Sequence, residues 1–187
     1  MICILQVRMS SKRLYGKALK KIKDEPLLNI ILKRLKKVKI IKNKIIVATS
    51  THSSDLPIVN FCKENKIKFY RGNLNNVSLR FFNILKKNKT KYFLRISGDS
   101  PFIDSQLIKK ILKFSKKGKH DIYTNTFPRT FPKGQSVEIV SKKLFMKFYK
   151  KMKLKSHKEH PTSFFYKNSK LFKIKNFSSG GNFSKIN

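Results

Sequence analysis

Met1-Ile-Cys-Ile-Leu-Gln-Val7 runs directly into Arg8-Met-Ser-Ser-Lys-Arg-Leu-Tyr-Gly-Lys17. The first stretch is the apolar run that a parallel strand requires, because such a strand is covered on both faces. It lacks a basic leader and a small-residue cleavage site, so it reads as a strand and not as a signal peptide. The second stretch opens a connection that lasts to Glu25. Strand-to-helix connections in α/β units usually take about 2–6 residues. A much longer one, at the carboxyl end of the first strand, falls where α/β folds hold their ligands.

Strand-like and helix-like segments alternate beyond it. Leu27, Leu28, Ile31, Leu32 and Leu35 recur at helical spacing, and Pro26 suits a first helical turn. Ile45–Thr49 reads as the next strand. Asp55 and Pro57 open a helix with Ile58, Phe61 and Cys62 inward. Phe69–Tyr70 and Tyr92–Ile96 are further strands. Asn76 and Asp104 each stand where a helix cap belongs, ahead of Phe81, Phe82 and Leu85 and of Leu107, Ile108, Ile111 and Leu112. Val137–Val140 reads as a strand, and Leu144, Phe145, Phe148, Tyr149 and Met152 as one helix face. This order predicts a doubly wound α/β sheet, as one domain over residues 1–187.

Composition excludes several classes. A hydrophobic fraction of 40% supports a core and argues against global disorder. No apolar run approaches the roughly 18 residues of a membrane span. Cys3 and Cys62 show no metal-ligand spacing and read as buried, reduced residues of a cytoplasmic protein. The net charge of +36 points first to nucleic acid. However, the positive charge is mostly Lys, with seven Arg, and is spread over the whole chain. There is no RNP-like motif, zinc-finger spacing or separate basic tail, so no specific nucleic-acid partner is expected. Nine acidic residues in the whole chain make each one in a special context informative.

Two segments carry chemistry. In the long connection, Arg8, Arg13 and Lys17 supply fixed positive charge. Ser10 and Ser11 supply hydroxyls, and Gly16 permits close backbone approach. Together they can hold a triphosphate through forks, a point charge and backbone N–H groups. A solvated basic loop is the competing reading, and no Walker sequence occurs. The second segment is Arg95-Ile-Ser-Gly-Asp-Ser-Pro-Phe-Ile-Asp104. Asp99 would stand just past a strand end, where a carboxylate can hold Mg²⁺; the competing reading is a turn.

Arg8-Met-Ser-Ser-Lys-Arg-Leu-Tyr-Gly-Lys17 resembles the Arg-x-x-Ser-x-Arg-Leu-Pro-Gly-Lys signature of CMP-sugar synthetases. The resemblance is closest to the cytidylyltransferase-like family that includes a spore coat polysaccharide biosynthesis protein, related to CMP-Kdo and acylneuraminate synthetases. Val47-Ala-Thr-Ser50, Tyr70-Arg-Gly72, Ser97-Gly-Asp-Ser-Pro-Phe-Ile-Asp104, Phe131-Pro-Lys-Gly-Gln-Ser-Val-Glu138 and Lys158-Glu-His160 follow in the same order.

The resemblance implies a Rossmann-like nucleotidyltransferase fold, a three-layer sandwich with a mostly parallel sheet. It implies transfer of CMP from CTP to a sugar acid or sugar phosphate in surface-polysaccharide biosynthesis, with release of pyrophosphate. Arg8, Arg13 and Lys17 would hold the CTP phosphates, with Ser10, Ser11 and Gly16 shaping the loop. Asp99 would hold Mg²⁺, Arg71 and Arg80 would continue the nucleotide pocket, and Glu138 would face the sugar. From the sequence itself, His157 and His160 are open to a catalytic role, but nothing pairs them with a base or nucleophile, and they read first as packing or interface residues on a helix. A homodimer stays open.

Two departures stand out. Tyr15 replaces the usual Pro, which restores free φ rotation there. Family members also continue past Asn182-Phe-Ser-Lys-Ile-Asn187 into a Val-Asp-Thr-like segment with a second metal-binding aspartate and a final helix. The expectation is therefore a chain shortened at its carboxyl end. A transferase that uses a different nucleotide, a non-catalytic nucleotide-binding protein and a basic nucleic-acid-binding protein are the alternatives.

Overall fold

The computed structural model describes residues 1–10 and 14–185. Its elements in chain order are β1 (Ile2–Gln6), β2 (Lys21–Ile22), β3 (Glu25–Pro26), α1 (Leu27–Lys36), β4 (Ile45–Ser50), α2 (Leu56–Glu64), β5 (Lys68–Gly72) and α3 (Val77–Lys87). There follow β6 (Tyr92–Ser97), α4 (Ser105–Ser115), β7 (Ile122–Thr124), β8 (Glu138–Ser141), α5 (Lys142–Phe148), α6 (Lys155–Glu159), α7 (Ser163–Lys167) and β9 (Ile174–Asn176). Short 3-10 turns join several of them.

Seven strands form one sheet in the order β5-β4-β1-β6-β8-β7-β9. β1 pairs in parallel with β4 and β6, β4 with β5, and β7 with β9. β8 runs antiparallel to both neighbours, β6 and β7. The expected mostly parallel, Rossmann-like sheet is therefore present, with one reversed strand inside it. β2 and β3 form a separate small hairpin within the long connection after β1.

Alternation along the buried strands sets the layers. Cys3 and Leu5 of β1 and Leu94 and Ile96 of β6 point to one face, against Leu28, Ile31 and Leu35 of α1, Ile58 and Cys62 of α2, and Ile108 and Ile111 of α4. Ile2, Ile4 and Phe93 point to the other, against Phe81 and Leu85 of α3, Phe145 of α5 and Phe165 of α7. Phe81, Phe93, Phe145 and Phe165 meet edge-on or tilted, with centroids 5.5–6.4 Å apart. Such pairs add about 0.5–1.5 kcal/mol each beyond the area they bury. The result is helix, sheet, helix. Among the described residues no helix is long and apolar enough to cross a membrane.

The helix starts follow local chemistry. The Asn76 side chain accepts from the Leu79 N–H at 2.8 Å, and Asp104 from the Gln106 N–H at 2.8 Å. The Asp104 cap fixes where the chain turns after β6. β1 leads through α1 to β4 on one side, while β6 lies on its other side, so the topological switch falls between β1 and β6. In that pair Gln6 stands opposite Ser97. The residues just past both strand ends, Val7-Arg8 and Gly98-Asp99, are thereby brought together.

Candidate active site

A cavity of about 780 Å³ opens at this switch point, within the range usual for small-molecule sites. Val7, Arg8, Gly98 and Asp99 form one wall. Gly98 is required by close approach: its N–H donates to Gln6 O at 2.8 Å, and a Cβ there would meet that same oxygen at 2.9 Å. Any larger residue would push the two strand ends apart. Gly16 has φ +70°, in the left-handed region, and its N–H donates to Met9 O at 2.8 Å, closing the basic loop on itself. That closure carries Lys17 to the cavity, where its Nζ lies 3.6 Å from Asp99 Oδ2.

Asp99 has a half-exposed side chain. Partial burial works to raise its carboxyl, but the Ser97 hydroxyl, the Lys17 charge and the backbone hold it below the usual carboxylate range. It is therefore ionised at neutral pH. Arg8 pairs with Glu159 at 3.1 Å, each side chain about one-third exposed.

The opposite wall is buried and polar. Arg95 of β6 donates through Nη1 to Glu138 Oε2 and through Nη2 to Gln6 Oε1 at 3.1 Å. Glu138 Oε1 accepts from the Tyr166 hydroxyl at 2.6 Å, and Thr162 adds a further hydrogen bond. Burial works to raise the Glu138 carboxyl, but the Arg95 charge and these bonds hold it below the usual range. Burial, and then the Glu138 charge, push the Tyr166 hydroxyl well above its ordinary value. Arg129 donates to Ser136 Oγ at 2.9 Å. Arg80, 1% exposed, donates through Nη1 to Ala48 O at 3.2 Å. Burial lowers its guanidinium to about 10, the Asp55 charge pulls it back up, and Arg8 pushes it down. It stays protonated at neutral pH.

Three cavity arginines keep a buried N–H without a partner among the described residues: Arg80 Nε, Arg95 Nε and Arg129 Nη1. An orphaned buried donor costs about 1–3 kcal/mol, more for a charged group. Arg8, Lys17, Arg80, Arg95, Arg129 and Lys133 face the cavity with two carboxylates, Asp99 and Glu138. Six cations against two carboxylates among the described residues leave the cavity wall with a net positive charge, which favours an anion.

The structure thus brings Arg8, Lys17, Arg80, Asp99 and Glu138 to one cavity. Ser11 and Arg13 lie outside the described residues. Ser10 and Gly16 belong to the loop without lining the cavity. Arg71 does not line it either: its guanidinium donates to Ser50 O at 3.1 Å and Thr51 O at 2.8 Å, lashing β5 to the end of β4. His157 is buried edge-on against Phe164, with both ring nitrogens unpartnered among the described residues. Burial and Lys167 lower its pKa, so it packs as a neutral ring. His160 instead lines the cavity.

Arg95, Arg129, Tyr166 and His160 were not selected from the sequence. Arg95 opens the second chemistry-bearing segment, but nothing there sets it apart from the Lys and Arg spread over the chain, and Tyr166 lies in no motif. His160 had one, its place within Lys158-Glu-His160.

A model of the cytidylyltransferase family matches residues 2–182. An uncharacterized protein of Methanocaldococcus jannaschii is 36% identical over 92% of this chain and 70% of its own length. Spore coat polysaccharide biosynthesis protein SpsF of Bacillus subtilis is 25% identical over 91% of this chain and 72% of its own. A cytidylyltransferase structure from Leptospira borgpetersenii superposes with a TM-score of 0.92 at 28% identity, covering 98% of this chain and 78% of that one. CMP:2-keto-3-deoxy-manno-octonic acid synthetase, solved with CTP, shares the fold at a TM-score of 0.70 and 15% identity, over 95% of this chain and 88% of that one. The chain belongs to the cytidylyltransferase family and is a nucleotidyltransferase.

Proposed function

We propose that this cytidylyltransferase transfers CMP from CTP to a sugar acid or sugar phosphate, in the cytoplasm, for surface-polysaccharide biosynthesis. The acceptor hydroxyl oxygen bonds to the α-phosphorus. The bond from that phosphorus to the bridging oxygen breaks, pyrophosphate leaves, and the hydroxyl proton passes to solvent. The observation that carries this reading is the set of basic side chains, Arg8, Lys17, Arg80, Arg95, Arg129 and Lys133, that line one cavity. Two anions, a triphosphate and an acidic acceptor, would neutralise that charge.

Little covalent chemistry falls to the protein, so placing and neutralising phosphate charge is most of the work. In this reading Arg8, Arg13 and Lys17 hold the CTP phosphates on a loop shaped by Ser10, Ser11 and Gly16. Arg80 adds charge from beneath, and Arg71 keeps the strand ends in place. Glu138, with both oxygens engaged, serves the acceptor by orienting Arg95 and Tyr166. Arg129 faces the acceptor's anionic group.

Among the described residues no group of three or more His, Cys, Asp or Glu is placed to hold a metal ion. Asp99 offers an ionised, half-exposed oxygen ligand beside Lys17. That suits Mg²⁺, which takes one or two carboxylates and completes its shell with phosphate oxygens and water. When bound there it would neutralise phosphate charge.

The test is pyrophosphate release with CTP, Mg²⁺ and a panel of sugar acids, sugar phosphates and neutral sugars, beside calorimetric titration of CTP with and without Mg²⁺. We expect release with an acidic acceptor and Mg²⁺-dependent CTP binding that Asp99→Asn loses. Absence of CTP binding, or turnover with neutral sugars alone, would overturn the reading.

A further inference from the structure

Asp55 reads from sequence as the start of a helix, and it does stand at the N-terminus of α2. Yet its side chain makes no cap hydrogen bond. It is fully buried, and both oxygens are turned toward the strand ends. Oδ2 accepts from the Thr49 hydroxyl at 3.0 Å, the Ser50 N–H at 2.9 Å and the Ser50 hydroxyl at 2.5 Å. Oδ1 accepts from the Met9 N–H at 2.7 Å, 46 residues away in sequence.

Met9 is the node of the basic loop. Its N–H goes to Asp55, its carbonyl accepts the Gly16 N–H that closes the loop, and its side chain is buried. Lys17 follows Gly16 directly and reaches the cavity. An unbroken path therefore runs from Asp55 through Met9 and Gly16 to Lys17. A second effect acts through space: the Asp55 charge supports the protonated Arg80, whose burial works against it. Burial works to raise the Asp55 carboxyl as well, but the Met9, Ser50 and Thr49 donors hold it below the usual range. A buried carboxylate with four donors is costly to build unless its charge and geometry are used.

We propose that Asp55 is the positioning residue of the nucleotide site: its carboxylate pins the phosphate-facing loop at Met9 and balances Arg80. It touches no substrate. The inference rests on the CTP reading above and adds a residue that the reading does not use.

The geometry predicts a loss that grows with the number of phosphates on the ligand. A loosened loop costs phosphate contacts, whereas general damage to the fold weakens every ligand alike. The experiment is titration of wild type, Asp55→Asn and Ser50→Ala with CTP and with CMP, with thermal unfolding of each variant followed by circular dichroism. Asn keeps the shape, but its NH₂ cannot accept the donors that the second oxygen accepts. We expect Asp55→Asn to weaken CTP about tenfold more than it weakens CMP, equivalent to about 1.4 kcal/mol of selective loss.

Ser50→Ala removes one donor, leaves the Met9 bond, and should show the same selectivity at a smaller size. It carries the test if Asp55→Asn does not fold. Equal losses for CTP and CMP, or unchanged CTP affinity in a folded variant, would overturn the proposal. If wild type fails to bind CTP, the functional reading fails instead, and the two outcomes are distinct.

Discussion

One wall of the cavity is made of strand ends and a loop, and its charges are partly exposed. Lys17 and Asp99 sit 3.6 Å apart, and Arg8 meets Glu159 at 3.1 Å with about a third of each side chain in solvent. The other wall is made of β8, the chain around residues 126–136 and the α6–α7 corner. Its central pair, Arg95 with Glu138, is 13% and 4% exposed and is locked further by Gln6, Tyr166 and Thr162. Exposed pairs are worth little and exchange partners readily. Buried pairs are hard to break, because either partner alone is left as an unpaired charge in the interior. The first wall can therefore hand its cations to an incoming phosphate, while the second keeps its geometry whether or not a ligand is present.

The strongest attempt to break this contrast is Glu138→Ala. It leaves the Arg95 guanidinium buried without its carboxylate, which typically costs about 3–5 kcal/mol. Urea unfolding would read that loss directly. A loss under about 1 kcal/mol, the level of an exposed pair, would mean that the buried wall is as replaceable as the exposed one.

Lys17→Ala should do the opposite. Losing a partly exposed cation, 27% in solvent, should change unfolding little, within about 0.5 kcal/mol as for a surface substitution. It should weaken CTP by about 1.5–3 kcal/mol, the worth of a charge-assisted phosphate contact. Titration with CTP beside urea unfolding separates the two effects. A stability loss without an affinity loss would make Lys17 a structural partner of Asp99 and nothing more.

The same contrast decides what could be read from the sequence. The place of Arg8, Lys17 and Asp99 at the cavity is legible because each lies within a contiguous stretch just past a strand, and strand ends are where an α/β sheet presents residues to ligands. The Asn76 and Asp104 caps were legible because a cap acts within three residues. Arg95 and Glu138 lie 43 residues apart, and Tyr166 a further 28. Nothing local links them; the reversed direction of β8 does, and that direction depends on pairing with β6 and β7, not on the composition of Val137–Val140. The β2–β3 hairpin went unread because two-residue strands show no alternation. Asp55 was placed correctly at a helix start, but which way its carboxylate turns depends on Met9, far off in the chain.

The smallest expected effect tests the exposed wall at its most exchangeable point. Arg8 stands at the end of β1 and borders both the main cavity and a smaller one of about 370 Å³ that Glu159 also lines. While Arg8 is held at 3.1 Å by Glu159, a phosphate must compete with that carboxylate. Each side chain is about one-third exposed, so the pair is worth about 0–1 kcal/mol and weakens with salt. Glu159→Gln keeps the size and the hydrogen-bonding oxygen and removes the charge. CTP should then bind more tightly by no more than about 1 kcal/mol, roughly fivefold, with the gain largest at low salt. The sign is the informative part. Weaker binding by this variant would mean that Glu159 helps to aim Arg8 at the phosphates. The exposed wall would then need fixed partners just as the buried one does, and the contrast between the two would fail at its own clearest example.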